Sequence, residues 1–169
     1  MGKGRETMVR VFAAMVVISA TAAAAASAVP VGDDILKPAS MRFADAGRTA
    51  LAKGDASAAI DNFEAALASD PKNVSAFTGI AAAYERLGLP GKAVKYYREA
   101  LVLNPSALAA LEGQGRAYVA RGATARAQVN LARIKALCKA DCSAANRLQA
   151  AISAPVVAVA DVPKVVTKN

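Results

Sequence analysis

Histidine is absent from all 169 residues, cysteine occurs only twice, and no block of like charge interrupts the chain. The first absence excludes most. Without an imidazole the chain lacks the commonest general base, the commonest metal ligand and any ordinary hydrolytic triad. No glycine-rich phosphate loop or paired-carboxylate motif takes its place. Acidic residues such as Asp45, Asp61, Glu64, Glu85, Glu99 and Glu112 fall at positions expected to be exposed on helices. Neighbours such as Glu85-Arg86 and Arg98-Glu99 read as surface charge. The chain is therefore expected to be no enzyme, with no catalytic residue, no cofactor, no metal and no small-molecule substrate.

The absence of charge blocks bears on partners. The chain carries 21 Lys and Arg against 13 Asp and Glu, a formal charge of +8. These basic residues are scattered along its length, which fits a solvated surface and not a nucleic-acid footprint. A weak preference for acidic partners or anionic envelope surfaces remains open.

The amino terminus has its own pattern. Lys3, Arg5 and Arg10 precede an apolar, alanine-rich run from Val11 to Ala26, and Ala26-Ser27-Ala28 stands just before Val29-Pro30. A basic start, an apolar run and a small-x-small site are the marks of a secretory signal peptide, here residues 1–28 with cleavage after Ala28. No cysteine near the site points to a lipoprotein. Retention as a membrane anchor is the alternative, because the run approaches the roughly 20 residues a span needs. The mature chain would keep 18 basic and 12 acidic side chains. Its expected location is exported and periplasmic. Residues 29–39, with Pro30, Gly32, Asp33, Asp34 and Pro38, read as a connector.

From Ser40 onward the chain repeats itself every 34 residues. Gly54, Gly88 and Gly122 align, as do Ala59, Ala93 and Ala127; Phe63, Tyr97 and Leu131; and Ala66, Ala100 and Ile134. Earlier columns agree: Phe43, Phe77 and Leu111; Gly47, Ala81 and Gly115; Ala50, Tyr84 and Tyr118. Pro71 and Pro105 close the first two units, and Lys139 stands where a third proline belongs. The physics supports paired helices. Small residues at 47, 81 and 115 and at 59, 93 and 127 would let two helices approach closely. Glycine at 54, 88 and 122 would end the first helix of each pair in a left-handed conformation. Asp70-Pro71 and Asn104-Pro105 would stop the second. Helices are expected over about 40–53, 56–69, 74–87, 90–103, 108–121 and 123–138, with a seventh over 143–153.

These columns resemble the tetratricopeptide repeat, a 34-residue helix–turn–helix unit with a small residue and then an aromatic in helix A, and an Ala, aromatic, Ala series in helix B. The resemblance covers 40–141, as units 40–73, 74–107 and 108–141. It implies an all-α fold, a right-handed solenoid of three helix pairs. Residues 142–153 would form a capping helix, laying Leu148 and Ile152 on the last repeat while Arg147, Asn146 and Gln149 face water. Residues 154–169, with Pro155, Pro163 and runs of valine, read as a disordered tail, or as a strand added to a partner's sheet.

Cys138 and Cys142 lie across the junction of the last repeat and the cap. In an exported chain a disulfide is expected, with Lys139 to Asp141 as a turn standing in for the missing proline. A metal site and a redox-active pair are the competing readings; two thiols without histidine are few ligands, and C-x3-C is not the C-x-x-C spacing.

Members of the resembled family bind proteins, with the A helices lining a concave groove. The resemblance turns Ala44, Arg48, Leu51 and Ala52 toward it from the first unit, Thr78, Ala82, Glu85 and Arg86 from the second, and Glu112, Arg116, Val119 and Ala120 from the third. Arg48, Arg86 and Arg116 are the first candidates for holding carboxylates or backbone carbonyls of a peptide. Tyr84 and Tyr118 match packing positions. The family's lysine and asparagine clamp for a terminal carboxylate has no counterpart, since these helices offer no asparagine and only Lys53. Two functions follow: a periplasmic adaptor holding a peptide or partner protein, or a structural subunit of an envelope assembly (secretion, pilus or cell-wall machinery) docking through its convex face and tail.

Overall fold

The computed structural model describes residues 35–154. The expected signal segment and its cleavage site, residues 29–34 of the connector and residues 155–169 of the tail lie outside the described residues. Within them are seven α-helices and no strand: α1 (Pro38–Ala52), α2 (Ala56–Ser69), α3 (Val74–Arg86), α4 (Pro90–Leu103), α5 (Leu108–Ala120), α6 (Thr124–Leu137) and α7 (Ser143–Ser153). None of these is long and apolar enough to cross a membrane.

Local chemistry sets the boundaries. Gly54, Gly88 and Gly122 have φ of 87°, 68° and 71°, the left-handed conformation that ends α1, α3 and α5 at little cost to a residue without Cβ. Asp70 and Asn104, each before a proline, are extended and end α2 and α4. Asp55 and Asn73 cap α2 and α3, their side chains accepting from the N–H groups of Ala58 and Ala76. The first helix starts two residues earlier than the repeat register indicates, at Pro38. A proline in the first turn has no needed N–H to lose, so the connector is shorter than expected.

Packing turns the list of helices into a solenoid. Each helix packs on the next, and α1 also touches α3, α3 touches α5, and α5 touches α7. No such contacts join α2, α4 and α6. The odd helices thus form the inner layer of a curved stack, and the even helices its convex outside. Ala59, Ala93 and Ala127 are fully buried where the helices meet.

Phe63 and Tyr97 fill the space between units. A Cβ on Gly47 would lie 2.9 Å from the Phe63 ring, and one on Gly79 would lie 2.3 Å from it; at Gly113 a Cβ would lie 2.2 Å from Tyr97. Each ring is therefore seated in a notch on the following odd helix, so that burial of roughly 2–3 kcal/mol per ring couples neighbouring repeats.

The end of the stack is closed by α7. Cys138 and Cys142 form a disulfide with Cα atoms 5.3 Å apart, and the chain between them turns from α6 into α7. Leu148 is fully buried against Gly115, and Ala144 and Ala145 are buried beside Leu111 and Leu131. One detail differs from the sequence expectation. Asn146 is exposed as expected, but Arg147 is not simply solvated: its guanidinium grips Glu112 of α5 through two bonds, Nε to Oε1 at 2.9 Å and Nη2 to Oε2 at 2.7 Å.

Candidate binding groove

The inner face of α1, α3 and α5 encloses a cavity of about 640 Å³. Leu51, Phe63, Val74, Gly79, Ala82 and Leu108 give it an apolar floor, and Arg48 and Lys72 stand at its edge. A second cavity of about 360 Å³ is lined by Leu51, Ala82, Glu85, Arg86 and Arg116. Leu51 and Ala82 belong to both, so the two hollows form one groove across the first two repeats and onto the third.

Charged side chains along this groove are unequally available. Tyr97 donates its hydroxyl to Glu85 (2.6 Å), and Arg116 bonds both Glu85 (3.2 Å) and Glu112 (2.7 Å), which in turn holds Arg147. A ladder of alternating partners therefore runs from α4 through α3 and α5 to α7. Burial and the adjacent Glu85 carboxylate push the Tyr97 phenol well above its ordinary value, so it stays a donor. Burial lowers the Arg116 guanidinium, but Glu85, Tyr97 and Glu112 outweigh that and raise it. Arg48 pairs with Asp45 on an exposed turn of α1. Arg86 is exposed, and no carboxylate pairs with it among the described residues.

The residues expected in the groove distribute as follows. Arg48, Leu51 and Thr78 line the larger cavity, Ala82 lines both, and Glu85, Arg86 and Arg116 line the smaller. Glu112 lines neither; it was expected to be exposed and is only 5% so, because α7 covers it and supplies Arg147. Val119 is half-buried and lines neither cavity, and Ala44 is packed in the core. The repeat register did not indicate Lys72, Val74, Ser75, Gly79 or Leu108, all of which line the larger cavity. A signal for one existed: Gly79 and Gly113 recur 34 residues apart, with Asp45 at the same position of the first unit.

A stack of antiparallel helix pairs with an open inner groove defines a helical-repeat binding scaffold. The sequence pattern of the tetratricopeptide repeat family matches residues 44–107 and 81–133, more than half of the chain. The protein belongs to that family, whose repeats are protein-interaction scaffolds. Its fold is similar to the first such domain of Spaghetti (RPAP3) bound to the HSP90 peptide SRMEEVD. That match has a TM-score of 0.62 and 26% identity, over 67% of this chain and 92% of that one. The first such domain of human RPAP3 gives the same TM-score and identity, over 67% of this chain and 89% of that one. The Sgt2 domain of Aspergillus fumigatus matches at 0.63 and 27%, over 68% and 78%. No curated protein sequence matches.

Proposed function

We propose that this protein is an exported, periplasmic adaptor that holds a peptide or a segment of a partner protein along the groove of α1, α3 and α5. One observation carries the adaptor part of this reading: the two cavities share Leu51 and Ala82, giving a continuous groove that is mainly apolar in the larger hollow and charged in the smaller. The peptide bound to the similar domain of Spaghetti supports a peptide ligand as the class. Partners are proteins, with no role for nucleic acid.

The test begins with the chain from Val29, tagged and used to recover partners from the envelope fraction. Arg48 and Arg86 are then changed together to alanine. Arg116 is left in place, because its loss would strip Glu85 and Glu112 of a partner and confuse folding with binding. Loss of the recovered partner from the double variant is expected; unchanged recovery would overturn the groove assignment. Sequencing the amino terminus of the protein made in its native host tests export, with Val29 as the expected first residue. A retained segment would instead make it membrane-anchored.

The convex side favours a second reading, a structural subunit of an envelope assembly. Val102 and Val129, on α4 and α6, are 70% and 61% exposed. A subunit docked there and through residues 154–169 would leave its complex when that tail is deleted, whereas the adaptor would keep its ligand.

A further inference from the structure

We infer that the larger cavity is a socket for bulky apolar side chains of an internal peptide segment that carries carboxylates beside them. This rests on the groove reading above and names the ligand chemistry. The floor offers little else to a ligand. Its two hydroxyls are already committed: Thr78 donates to the Val74 carbonyl (2.9 Å) and Ser75 to the cap side chain of Asn73 (2.8 Å). What remains toward the hollow is methyl and methylene surface from Leu51, Val74, Ala82 and Leu108, over the buried ring of Phe63.

Its openness follows from the core. Gly79 cannot acquire a side chain without striking the Phe63 ring, which is itself fully buried, so the packing of the first two repeats keeps the hollow clear. A volume of about 640 Å³ lies within the roughly 300–1,000 Å³ of ligand pockets, room for more than one side chain. Expelling water from such a concave apolar floor favours binding.

Charge selects the flanking residues. Arg48, which also pairs with Asp45 on its own helix, and Lys72 line the socket, and no carboxylate does. The adjoining hollow adds Arg86, while its Glu85 is engaged by Tyr97 and Arg116. Carboxylates next to the apolar anchors would meet this cationic rim, and basic residues would be repelled. The helices that line the groove, α1, α3 and α5, contain no lysine and no asparagine to clamp a terminal carboxylate, so an internal segment serves.

The test pans a library of random peptides, one half amidated and the other half free at the carboxyl end, against the disulfide-bonded chain 29–169 and against Ala109→Trp. Ala109 is an exposed socket residue of α5, so an indole there fills the hollow without entering the core. Retained peptides should combine Leu, Ile, Phe or Trp with nearby Asp or Glu. Ala109→Trp, at unchanged circular dichroism and melting temperature, should weaken the best of them about tenfold or more, as should replacing their apolar anchor by serine. Retention of basic or wholly polar peptides, full binding to Ala109→Trp, or a requirement for a free carboxyl end would overturn the inference while leaving the groove as a binding surface. Self-association of the wild type that Ala109→Trp abolishes would overturn it by giving the socket to a second copy. If no peptide is retained, the peptide-binding reading itself fails.

Discussion

Gly91 and Gly113 are both helical glycines, yet adding one methyl to each should have opposite results. At Gly91, near the start of α4, a Cβ meets nothing within 4 Å. Alanine there should stabilise by about 0.5–1 kcal/mol through helix propensity. At Gly113 the methyl would lie 2.2 Å from the ring of Tyr97, which is buried and tied to Glu85 and so cannot swing aside. Overpacking of about 1–3 kcal/mol outweighs the propensity gain. Thermal melts of Gly91→Ala and Gly113→Ala should therefore move in opposite directions, and a rise for Gly113→Ala would contradict the ring-in-notch packing.

Asp70 sets the acid response at the same scale. Its two oxygens accept separate backbone N–H groups, Lys37 on Oδ2 and Lys72 on Oδ1, and the first of these most strongly lowers its pKa below the ordinary 3.8. Protonation is thus disfavoured in the folded state. The stability this group contributes is present above about pH 4 and is lost as the pH falls through its depressed value. Asp70→Asn should be less stable at neutral pH, since an amide can serve only one of the two N–H groups, and should lose less on acidification. Melting curves between neutral pH and about pH 2.5 check this; parallel curves for the two proteins would refute it.

At the scale of elements, α7 is held by the disulfide, by Leu148 and by the grip of Arg147 on Glu112. The bond closes a small loop, worth about 2 kcal/mol in the chain-entropy model. Cys138→Ser with Cys142→Ser should speed amide exchange in α7 by about an order of magnitude or more, with α1 and α2 unchanged because contacts run between neighbours. Uniform acceleration along the chain would contradict a local tether.

The 34-residue register made these elements legible. Helix-ending glycines, prolines after α2 and α4, and small residues at helix crossings all recur, and their physical demands recur with them. What the register hid is what differs between units. Asn73 is fully buried, donates to Ser40 and caps α3, but alanine stands at 107 in the next unit. Glu112 looks like surface charge until α7 lies over it. Arg116 looks like a free groove cation until Glu85, on another helix, is beside it. Those contacts join units, and a column comparison within units carries no sign of them.

For the whole molecule, an inner layer of α1, α3 and α5 presents the continuous groove, while α2, α4 and α6 present the convex face with Val102 and Val129. The two faces make opposite claims on a partner. Amide hydrogen exchange of the mature chain, alone and with the partner recovered from the envelope fraction, separates them directly. Protection concentrated in α3 and in the groove-lining ends of α1 and α5, around Leu51, Ala82 and Leu108, is the predicted result. Protection confined to α4 and α6 around Val102 and Val129, with the groove unchanged, would contradict it.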